Sequence, residues 1–299
     1  MFFDQNDSPV FRPPSEANSF ILRVTRGCAH NKCTYCNMYR GVPFMLCTDQ
    51  EISEQIAQAA LYGKERIRRI FLADGDALVL PTEKLLKILA ALFATFPKLQ
   101  RVASYAAPQD ILRKSEEELR SLNPAGLKLW YYGRETGDDA VLKAVKKGVN
   151  GEEAVEAGRR VVASGMKLSL MIIVGLAGAK GSAQHAQATA RAINIIKPQM
   201  LSALTLMLYR GSELLEQYER GEFDPLSPQG IMKELQQILA LIDLPSTSHC
   251  LFRSNHVSNY VQLAGTLPKD QARLMSEVQA AATALGKLKT WDVYNDTRY

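Results

Sequence analysis

The chain has 299 residues, 46% of them hydrophobic, which is enough to bury a large core without disulfide staples. Its formal charge of +5 is spread out, and only 64–69 and 143–148 are dense in Lys and Arg; such runs are ordinarily solvated helix faces, so nucleic acid stays open as a partner without being indicated. The opening "MFFDQNDSPVFRPPSEANS" lacks the charged and apolar regions of a secretory signal and no apolar run could span a membrane, so a cytoplasmic, membrane-free chain with five reduced cysteines is expected.

Short apolar runs alternate with longer amphipathic ones, the pattern of βα units around a parallel sheet. The first predicted strand, "FILRVTR" (20–26), runs into a cysteine-rich loop. Thr48 and Glu51 have capping-box spacing and Ile52, Ile56, Ala59 and Ala60 share a face, which predicts a helix over 49–62. "IRRIFLA" (67–73) is the second strand. Pro81 and Thr82 open a helix carrying Leu85, Leu86, Leu89 and Leu92, which stops before Pro97. The strand "RVASYAA" (101–107), a helix over 115–122 and the strand "LKLWYY" (127–132) follow. Asp138 and Asp139 suit the start of the next helix and Gly148 its C-terminal cap. A helix over 151–164, the strand 167–175, a helix over 182–196 and the strand 200–208 complete six units. Together they predict an α/β fold, a partial (βα)6 version of the TIM-like barrel, whose ligands gather at the carboxyl ends of the strands. "ERGEFDPLSPQG" (219–230) then leads to a mostly helical extension: a helix over 229–242, a strand "SHCLFRS", a polar loop and a last helix bearing Leu274, Val278, Ala281, Ala282 and Leu285. The expected division is an N-terminal extension (1–19), a barrel core (20–222) and a C-terminal extension (223–299) that closes the barrel.

Cys28, Cys33 and Cys36 form a C-x4-C-x2-C spacing directly after the first strand. Three ligation schemes compete. Structural zinc would need a fourth ligand, for which only Cys47 or His30 is near. A plant-type 2Fe–2S electron-transfer centre uses this spacing plus a distant cysteine, which Cys250 could supply. A 4Fe–4S cluster on three thiolates would leave one iron without a protein ligand, open to substrate or cofactor.

The loop and much of 20–240 resemble radical S-adenosylmethionine (radical SAM) enzymes. These are built on a partial barrel whose first strand precedes three cysteines, usually C-x3-C-x2-C, with an aromatic before the last. Tyr35 takes the aromatic position, which in the family lies near the adenine; the first gap is one residue longer here. "FLADGDAL" resembles the family's Gly-Gly-Glu-Pro segment, which receives the cofactor's amino group: Gly75 and Asp76 match, while Asp74 and Ala77 stand where Gly and Pro are commoner. "YYGRETGDDAVLKAVKKGV" resembles the Gly-x-Glu-Ser-Gly segment, which makes Glu135 the candidate for the ribose hydroxyls or amino group and Lys147 for the carboxylate. "MIIVGLAG" resembles the apolar floor under the adenine, with Ala177 where Pro is frequent.

The resemblance implies an oxidoreductase-like metal centre: a 4Fe–4S cluster and S-adenosyl-L-methionine as cofactors, reductive cleavage to a 5′-deoxyadenosyl radical, and hydrogen abstraction from a small-molecule substrate. An external one-electron reductant, flavodoxin or ferredoxin, is implied as a partner. The segments are most similar to the subgroup holding oxygen-independent coproporphyrinogen oxidases, tRNA methylthiotransferases and the catalytic subunit of elongator. With 27 residues before Cys28 and a short tail after 240, neither a methylthiotransferase N-terminal domain nor an acetyltransferase domain is expected. Substrate is expected at Arg253, Asn255, His256 and Asn259, and His249 and Cys250 are expected to be structural.

Overall fold

The computed structural model describes residues 10–286, so the outer ends of both expected extensions, 1–9 and 287–299, lie outside the described residues. A 3-10 turn (Pro14–Glu16) precedes β1 (Phe20–Arg23). The strand expected over 20–26 breaks after Arg23: β2 (Thr25–Arg26) leaves the main sheet and pairs antiparallel with β3 (Met45–Leu46), with the cysteine loop between them. The α1 helix (Asp49–Gly63) starts on its capping box, the Glu51 amide donating to Thr48 Oγ1 and the Thr48 amide to the Glu51 carboxylate. The chain continues through β4 (Arg69–Ala73), α2 (Thr82–Thr95), β5 (Arg101–Tyr105), α3 (Pro108–Arg113), α4 (Glu116–Leu122), β6 (Leu127–Glu135), α5 (Asp139–Ala144), α6 (Gly151–Ala163), β7 (Lys167–Val174), α7 (Gly178–Ile196) and β8 (Met200–Thr205). It ends with α8 (Glu213–Glu219), α9 (Pro228–Leu241), β9 (Cys250–Ser254), β10 (Leu263–Leu267) and α10 (Gln271–Leu285).

The strands β1-β4-β5-β6-β7-β8 stand side by side in parallel, as the alternation of elements requires. The sheet then goes further than six strands. β9 joins in parallel beside β8, with Leu251 opposite Met200, and β10 returns antiparallel along β9. β10 falls in the stretch read from sequence as a polar loop. Its "LAGTL" carries no alternating signature because Gly265 occupies a core-facing position, where a Cβ would come within 3.0 Å of Leu274 on α10.

Period-two alternation splits the core. Leu22, Ile70, Leu72, Val102, Trp130, Tyr132, Leu168, Leu170, Leu201 and Phe252 face the helices in one large cluster. Phe71, Ala73, Ala103, Leu129 and Tyr131 form a smaller cluster on the inner face, joined by Tyr105 and Met171. Phe71, Tyr105 and Tyr131 meet edge to face, centroids 5.1–6.3 Å apart. The N-terminal segment seals this inner face. Fully buried Glu16 accepts from Tyr131 Oη (2.6 Å), Arg101 (2.8 Å) and Ser19 Oγ. Arg101 opens β5, so the seal lies toward the amino ends of the strands and leaves the carboxyl ends for chemistry.

Replacing Glu16 with Ala removes the acceptor for three donors. Urea unfolding should show a loss of about 3 kcal/mol, the scale for breaking a buried pair; a loss below about 1 kcal/mol would mean the seal is not structural.

Candidate functional site

The site starts where β1 and β4 end. Arg23 (3% exposed) meets Asp74 (0%), its Nε donating to Oδ1 at 3.0 Å. The other carboxylate oxygen accepts the Gly27 amide at 2.9 Å, and the Asp74 amide donates to Thr25 Oγ1. The Gly75 amide returns a bond to the Gly27 carbonyl at 3.2 Å. Gly27 has φ +72°, which favours glycine. A Cβ on Gly75 would lie 3.0 Å from Gly27 O and 3.1 Å from Cys28, so the β4 loop lies flush against the first cysteine. No local pattern marks Asp74 as the clamp of this loop, beyond its being an acid at the end of a buried strand.

The three cysteines are partly exposed and free. The Asn31 amide points to Cys28 Sγ (3.4 Å), and exposed Arg40 donates to the carbonyls of Cys33 (3.0 Å) and Cys36 (3.3 Å). Buried Thr34 ties the loop to the rest of the site: its amide donates to Val145 O and its carbonyl accepts from Leu214 N. Burial, reinforced by Cys33 and Cys28, pushes the Cys36 thiol up to about 11. Burial is thus the first cause that disfavours the Cys36 thiolate, and charge on Cys33 or Cys28 would add to it. Metal ions inside such a set remove that penalty.

The other two thiols stay out of the site. Cys47 and Cys250 are each 1% exposed in the helix-facing core. This corrects the 2Fe–2S alternative. Cys250 opens β9, at the amino end of a parallel neighbour of β8, whereas the cysteine loop leaves the carboxyl end of β1; the sheet itself separates them. Burial also pushes the Cys250 thiol up to about 12. The zinc scheme fares no better. His30 is engaged at Lys146 O (2.7 Å), and among the described residues no three His, Cys, Asp or Glu side chains gather around a single-ion position. A four-iron cluster needs no such convergence, since each thiolate meets a different iron. Three thiols with no fourth in reach suit that group.

Across the mouth, β6 runs three residues beyond its expected end, to Glu135. A register shift between Gly133 and Glu135, and φ +68° at Glu135, turn its carboxylate back over the strand. A Cβ on Gly133 would lie 2.1 Å from Glu135 Oε1, so the glycine makes room for it. Glu135 accepts from Lys147 Nζ at 2.8 Å, and Tyr35 Oη lies 3.5 Å from the same nitrogen. Burial alone would lower Lys147, but the charges of Glu135 and Cys33 outweigh it and hold the ammonium protonated well above its usual range. Burial, with Glu135, Cys33 and Cys36, keeps Tyr35 protonated. Tyr35, Lys147, Glu135 and the cysteines are thus brought together, with Gly75 beside them.

Asp76 is placed differently. Its oxygens accept the amides of Leu78 (2.7 Å) and Ala107 (2.8 Å), tying the β4 loop to the β5 loop. Burial and the neighbouring Asp110 raise its carboxyl far above the usual range.

The β9–β10 loop lies at the carboxyl end of β8. Asn259 Oδ1 accepts from Thr205 Oγ1 (3.0 Å), its Nδ2 donates to Ala203 O (2.9 Å), and Ser258 Oγ accepts the Thr205 amide. His256 Nδ1 engages Ser258, and burial lowers its basicity. Both residues hold the loop. Arg253 shares the inner face with Ser202 and, among the described residues, bonds the backbone carbonyls of Phe252 (2.8 Å) and Gly265 (3.5 Å), while Asn255 is exposed.

The model of the Radical SAM superfamily matches residues 22–181. No curated protein sequence matches the chain. Solved structures share its fold at low identity. A cobalamin-dependent S-adenosylmethionine radical enzyme, OxsB, has a TM-score of 0.60 at 16% identity, over 73% of this chain and 40% of its own. The radical S-adenosylmethionine methyltransferase TsrM from Kitasatospora setae reaches 0.59 at 15%, over 88% and 61%. The coproporphyrinogen III oxidase HemN from Escherichia coli reaches 0.54 at 16%, over 74% and 51%. The chain thus spans less than two thirds of each. Among the described residues, no helix is long and apolar enough to cross a membrane.

Asp74→Asn tests the clamp. An amide in that position must turn its NH2 toward either Arg23 or the Gly27 N–H, donor against donor. The expected loss is about 3 kcal/mol in chemical denaturation, and a stability equal to wild type would contradict the role given to Asp74.

Proposed function

The chain belongs to the radical SAM superfamily, whose enzymes use a 4Fe–4S cluster and S-adenosylmethionine, and we propose that Cys28, Cys33 and Cys36 hold that cluster. The observation that carries this reading is the donor set: three partly exposed thiols at one strand end, with the remaining two locked in the opposite core. When bound, cluster and cofactor together supply reductive cleavage of the sulfonium carbon–sulfur bond and hence a hydrogen-abstracting radical.

The chain's own residues bind, orient and exclude. Lys147 directs one of its three N–H donors to Glu135 and a second, at 3.5 Å, to Tyr35 Oη, and can offer the third to a ligand carboxylate; Glu135 offers its second oxygen to an amine or hydroxyl. Tyr35 and Gly75 line the approach to the cysteines, Tyr35 as the aromatic wall. Asp76 acts by bracing the β4 loop, which leaves that loop's backbone to meet the cofactor's amino group. The aromatic inner cluster and the Glu16 seal keep water from entering by the amino ends of the strands. On this reading residues 20–222 are the catalytic core and 223–299 its closure. A small-molecule substrate enters over the β8–β9 side, where Arg253 reaches it from β9 and Asn255 from the following loop, which His256 and Asn259 hold. The electron comes from an external flavodoxin- or ferredoxin-like carrier.

Anaerobic reconstitution should load about four irons per chain and give 5′-deoxyadenosine on reduction with S-adenosylmethionine present. Serine at Cys28, Cys33 or Cys36 should abolish both, while serine at Cys47 or Cys250 should leave both intact; iron loading that depends on Cys250 would defeat the reading. Lys147→Met should leave the iron content unchanged and weaken S-adenosylmethionine binding by about tenfold, the worth of one charge-assisted hydrogen bond, as read by calorimetry.

A further inference from the structure

At the carboxyl end of β7 the ladder to β8 closes with Leu206 N donating to Val174 O, and the next amide, Gly175 N–H, has no strand to bond. It donates instead to Glu234 Oε1 on α9, at 2.7 Å. His185 Nδ1, on α7, lies 3.0 Å from the same oxygen, so the ring donates there from Nδ1. Both side chains are almost fully buried, His185 at 0% and Glu234 at 1%. Their remaining polar atoms, His185 Nε2 and Glu234 Oε2, have no hydrogen-bond partner among the described residues. Two helices therefore commit a buried acid and a buried base, at a cost in unsatisfied atoms, to one backbone amide. The site is an apolar stripe otherwise: Ile231, Leu235 and Ile238 flank Glu234 on the same helix face. An aliphatic residue would suit that stripe better if packing were the only need.

What the amide belongs to gives the pair its purpose. Gly175 has φ +88°, and a Cβ there would come within 2.5 Å of Ile231, so the turn is pressed onto α9. Gly178 N bonds Gly175 O and closes the turn. Leu176, between them, joins Val145, Leu208 and Leu214 in the small apolar cluster against which Tyr35 packs. The turn is therefore continuous with the cysteine loop.

We propose that His185 and Glu234 are positioning residues that hold the Gly175–Leu176 turn as the wall on which the adenosine part of the cofactor rests. This deepens the radical SAM reading and rests on it. Neither side chain touches the ligand: Glu234 fixes the amide, and His185 fixes the rotamer of Glu234.

The test is calorimetry on the anaerobically reconstituted full chain with 5′-methylthioadenosine, which carries the adenosine part alone, and with methionine, which carries the other. Glu234→Leu should weaken 5′-methylthioadenosine by about tenfold and leave methionine and the electron paramagnetic resonance of the reduced cluster unchanged. Glu234→Gln, which keeps an acceptor oxygen, should restore binding to within about threefold. A folded Glu234→Leu protein that binds both probes as wild type does, or loses both equally, overturns the proposal. If Glu234→Leu fails to fold, His185→Leu decides by the same criteria, since it frees the rotamer without removing the acceptor. A wild-type chain that loads its cluster but binds neither probe sinks the cofactor reading and this proposal with it.

Discussion

One carboxylate, buried between two strand ends, sets the position of everything that follows it. Asp74 takes a charged donor from Arg23 on the neighbouring strand and a neutral one from the first amide of the cysteine loop. Charge-assisted bonds of this kind are short, directional and expensive to leave half made. The loop cannot pivot at Gly27 without stranding a buried charge, and Gly75 holds it from the other side. A second anchor, Thr34 on Val145 O, joins the same loop to the end of α5, two residues before Lys147. Cysteines, Tyr35 and Lys147 therefore share one frame.

Parallel strands bring loops of distant sequence to one end of the sheet, but they do not fix where those loops stop. Here buried and half-buried polar side chains do that. Asp74 ties β4 to the cysteine loop, Asp76 ties the β4 loop to the β5 loop, Glu234 ties the β7 turn to α9, and Asn259 ties the β9–β10 loop to β8. Each costs desolvation that apolar packing would avoid, and each holds a backbone group that packing could not orient. The opposite end is treated differently: Glu16 closes it over an aromatic inner layer.

Much of the fold was legible along the chain. The six parallel strands, the capping box at Thr48 and the helices between strands depend on periods of two and 3.6 and on cap chemistry, which are properties of neighbours in sequence. β10 was illegible because its core position is a glycine, chosen for the approach of α10. The split of β1 from β2 was hidden too, since the apolar run continues through it while the hydrogen bonds change partner. In the site, Tyr35, Glu135 and Lys147 lie together, whereas Asp76, Asn259 and His256 spend polar atoms on backbone and loop.

The order of the amino acids alone determined the alternation of strands and helices and the presence of three thiols in one short loop, because periodicity and spacing act over a few residues. Only the tertiary structure decided that Cys250 lies at the wrong end of the sheet, that Asp74 clamps rather than merely neighbours the loop, and that His185 and Glu234 converge on one amide. Those outcomes depend on which strand ends and helix faces meet across tens or hundreds of residues, and no local pattern encodes that meeting.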